Sequence, residues 1–364
     1  MSLSRPDTDQ QPIDLASDLF QTVDQVREEA LNIGYRVEQG FSLARQRRAQ
    51  RRGDQAVMVA FDGYGSIERV RILGRALYKT HGPEEPTAED ETAIRGWRSF
   101  TSIPMAFAHV DVEIEGRLFR LVADKGGVID ADLEIRLEPG VHEAHLRTQG
   151  SSWSTSRIWI VDRDQSIGIV SDVDDTVMVT ALPRPLLAAW NSFVLNEHAR
   201  NPTPGMAVLM ERLKLRHRGA PFIYLSTGAW NVAPTLRRFL GRNAYPPGTL
   251  LLTDWGPTTD RWFRSGARHK VENLEQLTRD FPSVKWILIG DDGQHDPAIY
   301  GGFAQRYPEH VAAVVIRTLS PAEAVLATGQ LLTAQGPELP EGIPLIRAND
   351  GASVSRGLED AGLL

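Results

Sequence analysis

Acidic and hydroxyl side chains recur directly behind apolar runs in the second half of this sequence, and their types suit phosphoryl transfer. Three such groups are Ser171-Asp172-Val173-Asp174-Asp175-Thr176, Ser226-Thr227-Gly228 and Gly290-Asp291-Asp292-Gly293-Gln294-His295-Asp296. A basic group, Arg268-His269-Lys270, opens a helical pattern between the second and the third. Transfer of a phosphoryl group needs a nucleophile, a proton donor for the leaving oxygen and positive charge nearby. The four groups together contain each of these.

Asp172 and Asp174 divide the nucleophilic and acid–base work in this interpretation. A carboxylate can attack phosphorus and form an aspartyl-phosphate, and we assign that role to Asp172. Asp174 lies two residues further on, so in an extended segment its side chain points the same way. We expect Asp174 to protonate the leaving oxygen and then to activate water against the acyl-phosphate.

Carboxylates this close to a phosphate repel it unless a cation is present, and Mg²⁺ prefers carboxylate and phosphate oxygens. The side chains of Asp172 and Asp291 are the predicted ligands, and the carbonyl of Asp174 is a third. Asp296 is expected to hold the loop in place or to bind a metal-bound water.

Hydroxyl and ammonium groups complete the predicted site. Ser226 can donate a hydrogen bond to a phosphate oxygen, and Lys270 can balance charge on the nucleophile and the phosphoryl group. Thr176 and Thr227 are included among the substrate-binding candidates. Taken singly, Lys270 would more often be a solvated helix residue, and acidic turns often contain Asp-x-Asp-x-Thr by chance. Only their joint placement favours a site.

An alternation of apolar runs and helical patterns places these groups. The runs are Ile167 to Val170, Phe222 to Leu225, Thr249 to Leu252, Trp286 to Ile289 and Val311 to Ile316. Such a pattern predicts an α/β fold with a parallel sheet covered on both faces. Ligands of such sheets bind at the carboxyl ends of the strands, which is where the polar groups lie.

From Ile167 to Ile316 the sequence resembles the haloacid dehalogenase (HAD-like) superfamily. Its motifs are more specifically similar to those of phosphatidate phosphatases of the actin-patch-protein type. They include Leu225-Ser226-Thr227-Gly228-Ala229-Trp230-Asn231 and Gly290-Asp291-Asp292-Gly293-Gln294-His295-Asp296-Pro297. The resemblance implies a HAD-like Rossmannoid sheet, Mg²⁺ and hydrolysis of phosphatidate to diacylglycerol. It also implies a nucleophilic Asp172, an acid–base Asp174, phosphate binding by Ser226 and Lys270, and metal binding by Asp291.

Two features bear on that resemblance. Asp292 stands where a small residue is expected, so it either adds a contact around the metal or faces solvent. Which of Asp291 and Asp292 is the ligand stays open, with Asp291 favoured. Only Val177 to Pro204 is left for a cap, and a small cap implies an open site. An amphipathic stretch in this segment indicates either a core-facing helix or a contact with acyl chains.

The first part of the chain has a different pattern of apolar residues. Apolar spacing predicts a helix from Asp14 to Arg52, ending in Arg45, Arg47, Arg48, Arg51 and Arg52. That cluster indicates either a solvated helix end or an anchor for acidic lipid headgroups. Short alternating segments then predict a β-sandwich-like domain. The predicted boundaries are 1–54 for the N-terminal helical segment, 55–163 for the β-domain, 164–335 for the phosphatase domain and 336–364 for a Gly- and Pro-rich tail.

Composition narrows the function classes. The 364 residues have a formal net charge of −7, so no global attraction to nucleic acid is expected. Cysteine is absent, which excludes disulfides and cysteine nucleophiles and fits a reducing compartment. Neither a signal peptide nor an apolar run long enough to span a bilayer is found. We therefore expect a cytoplasmic enzyme, with peripheral contact at the inner membrane face left open.

The sequence is compatible with three functions. The favoured one is a Mg²⁺-dependent phosphatase that acts on a phosphorylated lipid, most simply phosphatidate. The second is a phosphatase of the same mechanism acting on a soluble phosphomonoester or a phosphoprotein. The third is a non-catalytic module that binds a membrane or a partner. The intact set of Asp172, Asp174, Ser226, Lys270 and Asp291 argues against the third.

Overall fold

The computed structural model describes residues 44–79, 102–179, 201–253, 259–293, 295–320, 323 and 337–364. The predicted N-terminal helix up to residue 43 and most of the predicted cap lie outside these ranges. A helix over residues 44–52, α1, carries the arginine cluster. No helix in the described ranges is long and apolar enough to cross a bilayer.

A mainly antiparallel sheet follows α1. Its strands are β1 (Gln55–Gly65), β2 (Arg69–Lys79), β3 (Ile103–Pro104), β4 (His109–Ile114), β5 (Arg117–Val122), β6 (Val128–Glu134), β7 (Gly140–Thr148) and β8 (Ser154–Ile160). Residues alternate between buried and accessible along β4, as expected of strands with one face on a core. The core contains Val110, Val112, Ile114, Leu146 and Ile158, all at most 1% exposed.

These strands form one continuous sheet in the order β3-β2-β1-β8-β7-β4-β5, with β6 also paired to β2. The prediction of a β-sandwich-like domain is therefore wrong in one respect, because these strands form one sheet and not two packed sheets. The sheet curls around its core, because the register of β1 shifts between Phe61 and Tyr64 and β1 then pairs in parallel with β8. Alternation in a sequence identifies strands but does not reveal which edges join.

A parallel sheet of six strands forms the second half. Its strands are β9 (Ile167–Ser171), β12 (Phe222–Ala229), β13 (Thr249–Thr253), β14 (Lys285–Asp291), β15 (Val311–Arg317) and β16 (Leu345–Ala348), in the order β13-β12-β9-β14-β15-β16. A short ribbon of β10 (Met178–Val179) and β11 (Asn201–Pro202) lies beside it. All five apolar runs that predicted strands are found as strands of this sheet.

Helices cover the parallel sheet. They are α2 (Met206–Arg216), α3 (Ala233–Arg242), α4 (Thr259–Asp280), α5 (Asp296–Arg306) and α6 (Gly351–Asp360). Buried residues of α2, such as Leu209 and Leu213, join the same core as Ile169 and Leu288 of the central strands. The described helices and strands thus give a mixed α/β fold with a parallel sheet.

The C-terminal segment corrects the prediction of a tail over 336–364. β16 pairs in parallel with β15 from Leu345 to Ala348, and α6 packs its buried Val354 and Leu358 into the core. Asp350 caps α6 by accepting a hydrogen bond from the Ser353 N–H at 2.8 Å. A four-residue strand behind glycines and prolines gives too short an apolar run to be distinguished from a linker.

The curled sheet packs against the edge of the parallel sheet at β13. The Thr249 hydroxyl donates to the Gly63 carbonyl at 3.1 Å, and the Tyr64 hydroxyl donates to Asp280 at 2.8 Å. Phe61 stacks on Trp230 with ring centroids 4.6 Å apart. The two sheets are therefore joined by buried contacts.

Candidate active site

The loop after β9 brings Asp172 to the carboxyl edge of the parallel sheet. The Asp172 N–H donates to the Ile289 carbonyl at 2.8 Å, which fixes the loop against β14. The backbone of Asp175 is left-handed, with φ 58, and this turns the chain away from the sheet. Asp172 is 3% exposed and lies at the position that the sequence predicts.

Lys270 joins two of the predicted acidic residues. It lies on α4, and its Nζ donates to Asp172 Oδ1 at 2.6 Å and to Asp296 Oδ1 at 2.5 Å. Burial alone would lower the pKa of Lys270, but Asp172 and Asp296 raise it well above its ordinary value. Lys270 is therefore a buried, permanent cation beside the proposed nucleophile.

Three carboxylates come together around this lysine. Oxygens of Asp172, Asp291 and Asp296 all lie within 4.8 Å of one another. Burial, together with the neighbouring carboxylates, raises the pKa of both Asp172 and Asp291 well above its ordinary value. Such a cluster is stable in its charged form only if further positive charge is added.

The free atoms of this cluster fit a hard divalent cation. Asp172 Oδ2 and Asp291 Oδ2 are buried and have no hydrogen-bond partner among the described residues. Carboxylate oxygens are the ligands that Mg²⁺ prefers. Asp296 holds Asp291 from behind, because its Oδ2 accepts from the Asp291 N–H at 3.4 Å.

Asp292 turns away from the cluster. Its Oδ1 accepts from the Leu319 N–H at 2.9 Å, and its Oδ2 lies 3.5 Å from Arg347 on β16. Asp291 instead points inward, with Oδ1 accepting from the Gly293 N–H at 2.7 Å. The geometry therefore favours Asp291 over Asp292 as a ligand and places Asp296, not Asp292, beside it.

The hydroxyl groups predicted to bind phosphate lie at the same edge. The Ser226 hydroxyl donates to Asp174 Oδ2 at 3.2 Å and accepts from the Gly228 N–H at 2.9 Å. Thr176 is fully buried, and its Oγ1 has no hydrogen-bond partner in the described ranges. Thr227 is partly buried at the end of β12, where its carbonyl accepts from the Thr253 hydroxyl at 2.9 Å.

Arg317 is a residue of this site that the sequence interpretation missed. It is 3% exposed, and its guanidinium donates to the Asp175 carbonyl at 2.7 Å, the Asn349 carbonyl at 3.1 Å and Glu323 at 2.6 Å. Its own carbonyl accepts from the Asp292 N–H at 3.0 Å. Arg317 thus ties both acidic loops to the C-terminal segment. A lone arginine ending an apolar run was the only signal for it.

The curled sheet also reaches the helix that carries Lys270. Arg71 forms a double ion pair with Asp130 at 2.6 and 2.7 Å and donates to Asn273 Oδ1 at 3.0 Å. The Asn273 amide donates to the His269 carbonyl at 2.9 Å, one residue before Lys270. Burial lowers the pKa of His269 to about 4, so this ring is neutral at pH 7. No feature of the sequence pointed to Arg71.

Comparison with known proteins identifies the segment that holds these residues. Residues 167–318 match the family model of the catalytic domain of phosphatidate phosphatase APP1. The predicted resemblance to this type of phosphatidate phosphatase is confirmed over that range. The APP1-like segment contains every residue assigned above to the acidic cluster, and it ends just before Leu319.

Two fungal relatives share this segment. Phosphatidate phosphatase APP1 of Saccharomyces cerevisiae is 27% identical over 157 residues, which are 42% of this chain and 26% of the yeast protein. An uncharacterized protein of Schizosaccharomyces pombe is 27% identical over 166 residues, which are 44% of this chain and 26% of that protein. This chain therefore matches only about a quarter of the length of either relative.

Similarity to solved structures is weaker. A structure of PhoD aligns with 78% of this chain and 48% of that chain, at 9% identity and a TM-score of 0.25. A sialyltransferase from Photobacterium sp. JT-ISH-224 aligns at 8% identity and a TM-score of 0.22, covering 59% of this chain and 37% of that chain. Similarity at this level supports no conclusion about fold or function, so the HAD-like assignment stays a prediction.

Proposed function

We propose that this protein is a Mg²⁺-dependent phosphatase that hydrolyses phosphatidate to diacylglycerol through an aspartyl-phosphate on Asp172. The observation that carries the proposal is the buried cluster of Asp172, Asp291 and Asp296 around Lys270, inside the APP1-like segment. A buried carboxylate set with one lysine is costly to keep unless it binds a cation and an anionic substrate.

Asp172 is the proposed nucleophile. One of its oxygens attacks phosphorus while the bond from phosphorus to the glycerol oxygen breaks, which leaves the phosphoryl group on the carboxylate. Lys270, 2.6 Å from Asp172 Oδ1, stabilises the ionised carboxylate before attack and the phosphoryl oxygens afterwards. When bound, Mg²⁺ neutralises carboxylate and phosphate charge, held by oxygens of Asp172 and Asp291 with Asp296 beside them.

Asp174 is the proposed acid and base. It gives a proton to the leaving glycerol oxygen, so diacylglycerol leaves as an alcohol. As a carboxylate, it then takes a proton from the water that attacks phosphorus, which releases phosphate and regenerates Asp172. Ser226, 3.2 Å from Asp174 Oδ2, keeps that side chain at the edge of the site and offers a hydroxyl to the phosphoryl group. Thr176 and Thr227 are the further substrate-binding candidates.

A HAD-like assignment of the phosphatase domain is part of the same proposal. It is supported by the central position of β9, which lies between β12 and β14 and carries Asp172 at its carboxyl end. Ser226 lies in the neighbouring strand β12 on one side, and Asp291 ends the neighbouring strand β14 on the other. Three site residues thus come from three adjacent strands, an arrangement that suits an open α/β sheet.

The lipid substrate is inferred from similarity to phosphatidate phosphatase APP1 of Saccharomyces cerevisiae and to the family model of its catalytic domain. A soluble phosphomonoester would use the same cluster in the same way, so it is the second candidate. The acidic cluster itself recognises only the phosphoryl group. The two substrates must therefore be separated by experiment.

The test is Mg²⁺-dependent phosphate release from phosphatidate in mixed micelles, beside a soluble aryl phosphate, for wild type and Asp172→Asn. Asparagine keeps the shape of the side chain but removes the nucleophile. Phosphatidate hydrolysis that is lost with chelator and with Asp172→Asn supports the proposal. Release from the soluble ester alone would retain the mechanism and remove the lipid assignment, and release from neither by folded protein would remove both.

A further inference from the structure

The helix α1 presents an unusual density of positive charge. We call residues 44–52 the arginine helix, since Arg45, Arg47, Arg48, Arg51 and Arg52 all lie on it and are all exposed. Arg52 binds Asp54 at 2.7 Å. The other four have no acidic partner among the described residues within ion-pair distance. Four guanidinium groups on about two helical turns make a strong local positive potential, although the whole chain is acidic.

The arginine helix is fixed to the curled sheet. Ala49 is completely buried in the core of that sheet, and Gln50 Nε2 donates to the Tyr78 hydroxyl at 2.8 Å. The chain turns back at Gly53, and the Asp54 N–H donates to the Ala49 carbonyl at 3.1 Å. The arginines are therefore held on a defined surface at the end of β2.

The direction of β2 relates this surface to the site. α4 starts at the carboxyl edge of the parallel sheet, where Lys270 meets Asp172, and ends at the amino edge. β2 begins beside the end of α4, since Arg69 and Arg279 line one cleft, and it reaches Asn273 at Arg71. β2 thus runs antiparallel to α4, towards the carboxyl edge. It continues in that direction for roughly 26 Å, at ~3.3 Å per residue, to its end beside the arginine helix.

Apolar side chains are exposed at the same end of the curled sheet. Phe107 is 48% exposed and Val122 is 58% exposed. Phe107 lies in the loop next to the end of β2, because the Met105 N–H donates to the Ala76 carbonyl. Val122 ends β5 beside that loop, since it pairs with His109 and the Phe107 N–H donates to the Asp124 carbonyl. An exposed aromatic beside a cluster of arginines is the composition of a surface that binds the interface of a bilayer.

We propose that the arginine helix, with Phe107 and Val122, docks this protein on an anionic membrane surface. The arginines meet lipid phosphates and carboxylates, and the apolar side chains enter the headgroup region. Because this end faces the same way as the carboxyl edge, docking turns the acidic cluster towards the bilayer. The orientation deepens the proposed action on phosphatidate and rests on it, whereas docking itself depends only on the charge and the exposed apolar groups.

The experiment is sedimentation of the full chain with phosphatidylcholine vesicles, with and without phosphatidylserine, which is anionic but not a phosphomonoester. The test variant changes Arg45, Arg47, Arg48 and Arg51 to Gln and leaves Arg52 with Asp54. The matched control changes four exposed basic residues at the amino edge of the parallel sheet to Gln, none of them in an ion pair between described residues: Arg216, Arg218, Arg279 and Lys285. Both variants lose the same formal charge, so position alone separates them.

Wild type is expected to bind phosphatidylserine vesicles in preference to phosphatidylcholine vesicles, and the test variant to lose about tenfold or more of that binding. The loss should shrink as salt is added, since exposed charges are screened. The control variant should bind within about twofold of wild type. Equal loss in the two variants, or no loss in the test variant, would overturn the proposal. So would binding to a DNA duplex that depends on these arginines while vesicle binding does not.

Activity separates failure of docking from failure of the proposed function. Both variants should hydrolyse a soluble aryl phosphate at the wild-type rate, which also shows that they are folded. Hydrolysis of phosphatidate in anionic vesicles should fall only in the test variant. If wild type hydrolyses neither ester, the phosphatase proposal fails, and sedimentation still decides whether the arginine helix docks.

Discussion

In the curled sheet each buried carboxylate lies against arginine, whereas at the carboxyl edge of the parallel sheet three buried carboxylates surround one lysine. Arg52 binds Asp54, and Asp62 is held by Arg157 and Arg237. The other region, formed by Asp172, Asp291 and Asp296 around Lys270, has an excess of negative charge. Among the described residues, the buried carboxylates of the curled sheet are thus balanced by arginines, whereas those of the acidic cluster are not fully balanced.

This difference in pairing distinguishes carboxylates that stabilise the fold from carboxylates that form a binding site. A buried charge that is fully paired stabilises a fold modestly at best, and an unpaired one costs several kcal/mol. The acidic cluster carries that cost, and it is the part of the molecule that matches a catalytic domain. We therefore expect the acidic cluster to bind a cation and phosphate, and the paired carboxylates to contribute only to stability.

The largest effect is expected for Lys270→Met, which leaves three buried carboxylates without a cation. We expect the free energy of unfolding in the absence of metal to fall by about 3–5 kcal/mol. Phosphate release should fall at least about 10³-fold. Urea denaturation and the phosphatase assay measure the two effects. Lys285→Met, at an exposed lysine that starts β14, is the control and should change stability by less than about 0.5 kcal/mol.

Magnesium should stabilise the folded protein through the same cluster. At a free concentration of about 100 times its Kd, Mg²⁺ is expected to add ~2.7 kcal/mol to the free energy of unfolding. Asp291→Asn should remove this gain, and Asp292→Asn should retain it because Asp292 faces Leu319 and Arg347. Thermal unfolding with and without chelator tests this. A gain that survives Asp291→Asn but not Asp292→Asn would reverse the assignment of the ligand.

Asp62→Asn should lower stability and leave activity near normal, whereas Asp172→Asn should abolish activity and leave stability unchanged. At Asp62 the substitution weakens the charged hydrogen bonds from Arg157 and the ion pair with Arg237, so we expect a loss of about 2 kcal/mol of stability and near-normal kcat. At Asp172 the substitution removes the nucleophile, so activity is lost. It also relieves repulsion among the buried carboxylates, so stability without metal does not fall. Denaturation and kinetics on both variants decide the comparison, which fails if the two profiles coincide.

His269 lies between the two regions and gives a pH dependence with a defined sign. Its folded pKa of about 4 is below its ordinary value, so the unfolded chain takes up a proton first as pH falls. Stability should decrease from about pH 6.5 down to pH 4, by on the order of 2 kcal/mol at pH 5. His269→Gln should remove that part of the acid dependence. Unfolding curves of both proteins between pH 4 and 8 measure it.

The smallest effect is expected for Arg317→Lys, because a lysine keeps the charge but not the planar fork. We expect kcat to fall about tenfold with KM within about twofold, since the Asp175 carbonyl would lose its donor while phosphate binding is retained. Arg347→Lys, which touches Asp292 at 3.5 Å, is the matched control and should be close to wild type. Equal loss in the two variants would contradict a positioning role for Arg317.

The sequence was informative where apolar periodicity and residue type carried the signal. It predicted five of the six strands of the parallel sheet, all except β16. It also predicted that Asp172, Asp174, Ser226, Lys270 and Asp291 lie at one edge of that sheet. Apolar runs in such sheets are continuous because both faces are covered, so they stand out from their surroundings. The carboxyl-edge rule then placed the polar residues without any coordinates.

Other features depend on contacts between distant residues and left no local signal. The direction of Asp292 is set by Leu319 and Arg347, and the role of Arg317 is set by Asn349. β16 is a strand because β15 offers it a free edge, while its own four residues are unremarkable. The curl of the first sheet likewise arises from pairing between β1 and β8, which are far apart in the sequence.

The link from Arg317 to Asn349 has a consequence for synthesis. The residues of the acidic cluster all precede Arg317 and leave the ribosome before the segment that pairs with β15. The carbonyl of Asn349 and the strand from Leu345 to Ala348 are synthesised after the cluster, and only then does Arg317 have all its described acceptors. During translation the nucleophilic loop is therefore secured only after the segment from Leu345 to Asn349 has emerged and folded onto β15.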